Sequence, residues 1–322
     1  MIRGPSIALL VSLALPANAA VAEDYPTHPV RLICPQAAGG PTDFLSRVTA
    51  DQLSQILGQQ VVVDNRPGAS TMIGAELVAK AKPDGYTLLM ATVTTFALNP
   101  SLFAKMPYDP LRDFAPVSLV AQTPYFLLVS NKLPVKSVPE LIALAKTQPG
   151  TLNYGSPGTG TSPHLVGALF AKMAGIDIRH VPYKAQAAAA VDLESGLIQL
   201  SFDGGGLPRI QNGQVRGLGV TTQRRIAAAP DIPTVAEQGL PGFEASLWTG
   251  IAAPVATPAD IVAKLHAAVA RAMQAPEARR RIEAAGGQPA GGTPEEFATL
   301  IKADQQKWAN VVRESGVKIE DQ

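Results

Sequence analysis

From residue 29 onward, apolar runs of strand length alternate with segments whose apolar residues recur every three or four positions. Side chains alternate faces along a strand and repeat every 3.6 residues around a helix. The alternation therefore restricts the chain to the α/β class, with helices covering mostly parallel sheet. The strand-length runs are residues 30–34, 61–63, 86–90, 125–129, 152–154, 178–181, 198–202 and 215–220. Helix ends between them are marked by capping residues. Ser137 with Glu140 forms a capping box, and Pro149-Gly150 stops that helix. Thr257-Pro258 opens another, whose Ile261, Leu265, Val269 and Met273 share one face. Thr293-Pro294 with Glu296 opens the last, with Phe297, Ile301, Trp308 and Val312 as its buried stripe. These stripes are core and carry no chemistry.

Two extended stretches do not close compact βα units. Residues 117–129 are interrupted by Gln122, Thr123 and Pro124, and residues 243–254 contain Trp248, Gly250 and Ile251. A chain that leaves one α/β unit at the first stretch and returns at the second forms a discontinuous lobe of residues 27–122 and 249–322. Residues 123–248 form the other lobe. Two lobes joined by two extended segments can close on a ligand as a hinge. Two sequential domains are the alternative, but the C-terminal helices would then lack a sheet. The 322 residues have room for two domains, and no fixed-period repeat is present.

Composition removes several function classes. Apolar residues make up 46% and charged residues 16%, a globular rather than disordered mix. Lys and Arg number 27 against 26 Asp and Glu, so nothing in the charge points to nucleic acid or an anionic membrane. Cys34 is the one cysteine, and His28, His164, His180 and His266 have no metal-ligand spacing; neither a disulfide, a metal nor a cofactor is expected. Residues 1–22 read as a secretory signal peptide: Arg3, an apolar core over residues 7–15, and Ala20-Val21-Ala22 as the cleavage site, with Ala17-Asn18-Ala19 as a second possible one. No later run is long enough to span a membrane. An exported chain with one cysteine fits the bacterial periplasm.

Chemistry concentrates in two glycine-rich turns, each leading from a strand into a helix that begins near a proline. The first is Cys34-Pro35-Gln36-Ala37-Ala38-Gly39-Gly40-Pro41-Thr42-Asp43; the second is Tyr154-Gly155-Ser156-Pro157-Gly158-Thr159-Gly160-Thr161-Ser162-Pro163-His164. A helix N-terminus offers unpaired N–H groups and the positive end of its dipole to an anion. Glycine lets the backbone approach closely, and Ser156, Thr159 and Thr161 add hydroxyls. Neither turn contains Lys or Arg and GxxxxGK[ST] is absent, which disfavours a nucleotide and favours a carboxylate. The alternative is that the glycines only make tight turns.

Other residues near strand ends have two readings each. Asp43 is a contact for a ligand amine or a helix-start carboxylate, the latter favoured. His164 touches ligand or holds its loop. Asp203, before Gly204-Gly205-Gly206, lines the cleft or forms a turn. Tyr183 lines the cleft or packs, and Thr92, with Thr94 and Thr95, adds polar groups to the rim. GxSxG is absent and no catalytic carboxylate pair accompanies a histidine, so no enzyme is expected. A hydrolase built on Ser156 or Ser162 with His164 is the alternative.

Several strings then carry a family resemblance. They are Asp64-Asn65-Arg66-Pro67-Gly68-Ala69, Ala81-Lys82-Pro83-Asp84-Gly85-Tyr86-Thr87-Leu88-Leu89, Asp109-Pro110-Leu111-Arg112-Asp113-Phe114-Ala115-Pro116-Val117 and Asn153-Tyr154-Gly155-Ser156. His180-Val181-Pro182-Tyr183-Lys184, Pro230-Asp231-Ile232-Pro233-Thr234-Val235 and Pro241-Gly242-Phe243-Glu244 with Trp248 follow in order. Together they resemble the Bug-type extracytoplasmic solute receptors of tripartite tricarboxylate transporters, over nearly all of the chain after residue 22.

The resemblance implies a two-lobed periplasmic binding protein of the type II, Venus-flytrap kind. It implies capture of a small carboxylic acid between the glycine loops, often through water, and delivery to integral-membrane permease components by a protein that is itself a soluble monomer. Gly39, Gly40 and Asp43 match the family's first loop, with Ala38 beside them. Ser156, Gly158, Thr159, Gly160 and His164 match the second, and Asp203 matches a Phe-Asp pair. The ligand set expected is these residues with Thr92, Thr161 and Tyr183. Ala185, Gln186 and the alanines after it, Ala37-Ala38, and Ser70-Thr71 depart from the family's glycine and proline pattern. A ligand sensor that feeds a signalling partner is a further alternative to transport.

Overall fold

The structure is a computed structural model that describes residues 25–315, so the expected export segment lies outside the described residues. The chain runs β1 (Val30–Cys34), α1 (Pro41–Leu57), β2 (Val61–Asn65), α2 (Met72–Ala79), β3 (Thr87–Thr92), α3 (Asn99–Leu102) and β4 (Phe114–Pro124). It continues with β5 (Phe126–Val129), α4 (Val138–Thr147), β6 (Asn153–Ser156), α5 (Ser162–Ala174), β7 (Arg179–Pro182), α6 (Gln186–Ser195), β8 (Leu200–Asp203), α7 (Leu207–Gln211) and β9 (Arg216–Val220). Then come β10 (Ser246–Pro254), α8 (Ala259–Gln274), α9 (Pro276–Ala284), β11 (Gln288–Pro289) and α10 (Pro294–Ser315).

The strands form two sheets, of order β11-β4-β10-β3-β1-β2 and β7-β6-β8-β5-β9. Pairing is parallel in β3-β1-β2 and in β7-β6-β8, and antiparallel where β4, β10, β5 and β9 join. The antiparallel pairs arise because β4 and β5 carry the chain from the first sheet to the second, and β10 brings it back. Each strand expected from the sequence forms. Strands β3, β6 and β8 run past their apolar stretches to Thr92, Ser156 and Asp203, because the sheets continue through buried polar residues there.

Helix caps depart in detail from the sequence pattern: α8 starts after Pro258 with no side-chain cap, and Thr257 Oγ1 donates to Pro254 O instead. Ser137 Oγ accepts the Glu140 N–H, but the Glu140 carboxylate takes the N–H of Lys136 rather than of Ser137. The reciprocal box closes at α10, where Thr293 and Glu296 each take the other's N–H. Helices α1 and α8 cover one face of the first sheet through Leu45, Val48, Leu53, Leu265, Val269 and Met273. The other face belongs to an apolar core that continues from Ile33 and Leu89 through Trp248 and Phe297 to Phe170 and Phe202 under the second sheet. Trp248 Nε1 donates to Asp304 in α10, which fixes that helix across the back of β10.

Where the chain passes between sheets, buried backbone groups must find partners away from either ladder's interior. Thr221, wholly buried, supplies them. Its Oγ1 accepts the Tyr125 N–H at 2.9 Å and donates to the Ala245 carbonyl at 2.6 Å. Its own N–H donates to Tyr125 O, and its carbonyl accepts the Ala245 N–H. Replacing it with isosteric valine removes partners from two buried backbone groups, and each orphan costs about 1–3 kcal/mol. Chemical denaturation of T221V is expected to show a loss of about 2–6 kcal/mol.

Candidate ligand-binding site

The registers decide which edges face each other. Parallel β1, β2 and β3 end together at Cys34, Asn65 and Thr92. Strand β4, antiparallel to β10 as β3 is, ends on the same edge at Pro124. After Tyr125 alone, β5 begins at Phe126, opposite Asp203 at the end of β8. Ser156 and Pro182 end the neighbouring parallel strands β6 and β7. The carboxyl edges of both sheets thus meet across one crossing residue, the position at which open α/β sheets hold ligands. At Gly205 a Cβ would stand 3.8 Å from Pro41 Cγ, so the turn after β8 approaches the start of α1 across the cleft.

The first loop is held from beneath by Asp43, which is 4% exposed. Its Oδ2 accepts the Gly39 N–H at 2.9 Å and Arg47 Nε at 3.0 Å, while Oδ1 accepts Asn65 Nδ2 at 2.9 Å. Burial alone would raise this carboxyl. Arg47, Gly39 and Asn65 outweigh burial and hold it below the usual carboxylate range. Asp43 is thereby occupied inside its own lobe, as the helix-start reading of the sequence has it. Ala38 and Gly39 are exposed at the loop tip, Gly39 at φ 84°. Gly40, at φ −87°, is an extended cap residue beside Pro41. Asn65 also donates to Gln36 O, which makes it a second brace that sequence reasoning left unassigned. Its place as the last residue of a polar-ended strand was the available signal.

The second loop is built around two imidazoles. His164 and His180 stack with ring centroids 3.7 Å apart. Gly160 donates its N–H to His164 Nδ1 at 2.9 Å, which leaves that nitrogen without a proton and the ring neutral. Ser156 Oγ, wholly buried, lies 2.6 Å from His180 Nε2 and 2.9 Å from Gly158 O. Thr161 Oγ1 donates to Gly158 O, so its hydroxyl faces its own loop. Gly158 at φ 134° and Gly160 at φ 75° sit in backbone that side chains rarely adopt. Thr159 is exposed at the tip. The role of His180 emerges only in three dimensions, because β7 places it beside β6 in register with Tyr154.

The remaining candidates line the same edges with different commitments. Thr92 Oγ1 lies 2.9 Å from Thr95 Oγ1, which lies 2.9 Å from Thr71 Oγ1, a buried hydroxyl chain at the end of β3. Just before α2, Ala69, Ser70 and Thr71 are successively left-handed, at φ 44°, 50° and 77°. Tyr183 donates to Asp192 at 2.7 Å; burial and this carboxylate push its hydroxyl up to about 12. Asp203, 3% exposed, accepts the Gly205 N–H, with Arg209 Nη1 at 3.7 Å from Oδ2. Burial raises its carboxyl against these two partners and Gln186. Among the described residues no group of three His, Cys, Asp or Glu could hold a metal ion, and no helix is long and apolar enough to cross a membrane.

Residues 45–317 match the model of the tripartite tricarboxylate transporter family receptor. The chain belongs to this receptor family. It is 36% identical to Protein BugT of Bordetella pertussis over 316 residues, 97% of each chain. R. palustris Rpa4515, solved with adipate, is 38% identical, with a TM-score of 0.86 over 92% of this chain and 99% of that one. MatC of Rhodopseudomonas palustris, solved with bound malate, is 32% identical, with a TM-score of 0.80 over 89% of this chain and 100% of the other. The family is one of solute receptors, not of hydrolases.

In this receptor the Ser–His contact serves the loop. Ser156 meets His180 rather than His164, and its hydroxyl is enclosed. Burial holds His164 down to about 4, and burial with His164 beside it holds His180 down to about 3. An unfolded histidine takes its proton near 6.5, so the unfolded chain binds more protons than the folded receptor between that pH and about 4. The histidines therefore contribute stability at neutral pH that is lost as pH falls through this window. Asp203 and Asp304, raised by burial, act in the opposite sense. They are common to wild type and H180Q, so comparing the two isolates the imidazole. Denaturant unfolding at pH 7, 5.5 and 4.5 is expected to give a shallower acid loss for H180Q.

Proposed function

We propose that this receptor captures a small carboxylate, with a dicarboxylate first among candidates, by closing two lobes on it. Residues 27–122 with 249–322 form one lobe of this reading, and residues 123–248 the other. The observation that carries it is the pair of glycine loops on facing sheet edges, each with a helix N-terminus and no Lys or Arg within it. Backbone N–H groups in such a setting suit a carboxylate, which needs several donors and no full countercharge. The adipate and malate bound by similar receptors support the same class.

In this reading Ala38 and Gly40 present first-lobe N–H groups, and Gly39, its own N–H held by Asp43, lets the backbone approach closely. Thr159 presents its N–H from the second lobe, where Gly158 and Gly160, bonded to Ser156 and His164, admit the same close approach. Asp43, Ser156, Thr161 and His164 shape the loops from behind, while Thr92, Tyr183 and Asp203 border the cleft. Closure is stabilised by contacts that the ligand makes with both lobes at once. The protein works as a monomer in the periplasm after loss of residues 1–22, and hands its ligand to membrane-embedded permease components. Similarity to BugT and to the adipate and malate receptors supports this setting.

Thermal unfolding of residues 23–322 against adipate, malate, other carboxylates and their neutral amides tests the reading. At about 100 times its dissociation constant a ligand adds about 2.7 kcal/mol. A rise of about 4–8 °C is then expected with one or more acids, the lower figure if both lobes unfold together, and none with the amides. G40A provides the site control. Its backbone suits any residue and a Cβ there meets only Ala37 O, at 3.7 Å. It should keep the ligand-free melting temperature and lose most of the shift. An unchanged shift in G40A would move the ligand away from the first loop.

A further inference from the structure

We infer that Tyr125 is a positioning residue for the ligand, acting through Ser162, and this inference rests on the two-loop reading above. Tyr125 is the one residue between β4 and β5, so its backbone forms one of the two passages between the sheets. It is 2% exposed, and both its backbone groups are fixed by Thr221. Its hydroxyl leaves the passage and donates to Ser162 Oγ at 2.6 Å.

Ser162 is the first residue of α5, the helix whose N-terminus carries the second glycine loop. Besides Thr161, which bonds within the loop, and Tyr154, which holds the His164 carbonyl from β6, that loop has three further side-chain braces. His164 reaches it from within α5, His180 reaches it from β7 through Ser156, and Tyr125 reaches its helix from the passage. The first two stay within the second sheet and its helices. Tyr125 alone among these braces joins the loop's helix to the segment whose torsions must change when the lobes move. Its ring cannot swing with the passage while the hydroxyl stays on Ser162, so the bond selects one orientation of passage and loop together. Ligand seated on the loop favours that orientation, and the same bond favours a loop already set for ligand.

Y125F removes the hydroxyl and keeps the ring's packing; S162A removes the acceptor. Losing a neutral hydrogen bond that acts on binding is expected to weaken affinity about three- to tenfold, chiefly through faster release. Titration calorimetry and stopped-flow release, with whichever of adipate or malate binds wild type, read this in Y125F, S162A and the double variant. The double variant should be no weaker than the weaker single one, since both delete the same bond. Small-angle scattering of the ligand-free proteins should show Y125F more extended than wild type. A purely structural tyrosine would lower the melting temperature in both variants and leave affinity, release rate and scattering as in wild type, and that result overturns the inference. Losses that multiply in the double variant overturn it too. If wild type binds no acid of the carboxylate panel, the carboxylate reading fails by itself; ligand-free scattering still decides Tyr125, with an extended Y125F supporting the brace and an unchanged profile refuting it.

Discussion

Everything in this receptor depends on how two sheets share one chain without leaving backbone groups unpaired between them. The passages at Tyr125 and Ala245 lie at the ends of β5 and β10, where neither ladder alone satisfies them, and Thr221 pairs with both. A threonine suits this position because its hydroxyl can accept from one strand and donate to the other while its methyl stays in apolar surroundings. Once the passages are fixed this way, the strand directions follow. The carboxyl edges of the two sheets must face each other, and the loops after β1 and β6 become opposite walls of one cleft.

Both walls are shaped by groups that neutralise themselves. In the first, a carboxylate is consumed by one guanidinium, one amide and one backbone N–H. In the second, two stacked imidazoles remain uncharged because burial disfavours their protonated forms. The loops therefore gain rigidity without placing a full positive charge at their tips. Donors of this kind discriminate by geometry, and they suit weakly basic oxygens better than a phosphoryl group that needs cations.

Most of the fold was legible in the sequence, since strand and helix periods are local properties of the chain. The strands at residues 30–34 and 215–220 and the α10 stripe of Phe297, Ile301, Trp308 and Val312 emerge essentially as read. Polar strand ends were less visible: Thr92, Ser156 and Asp203 extend their ladders with residues that carry no apolar signal. The glycine loops could be located, but their braces could not. Asn65 and His180 act from neighbouring strands, and Tyr125 from the passage, so their partners follow from register and packing rather than from spacing along the chain.

The left-handed stretch of Ala69, Ser70 and Thr71 gives this receptor a margin that its core does not have. Each side chain held in that region costs roughly 1–2 kcal/mol, a cost that glycine avoids. The strain sits in the turn that leads into α2, where Thr71 is buried and bonded to Thr95. Glycine in place of Ser70 therefore relieves strain and removes a buried hydroxyl that has no partner, whereas glycine in place of Thr71 also breaks its hydrogen bond to Thr95. A codon change in this turn therefore alters stability and the hydroxyl chain at the end of β3 together.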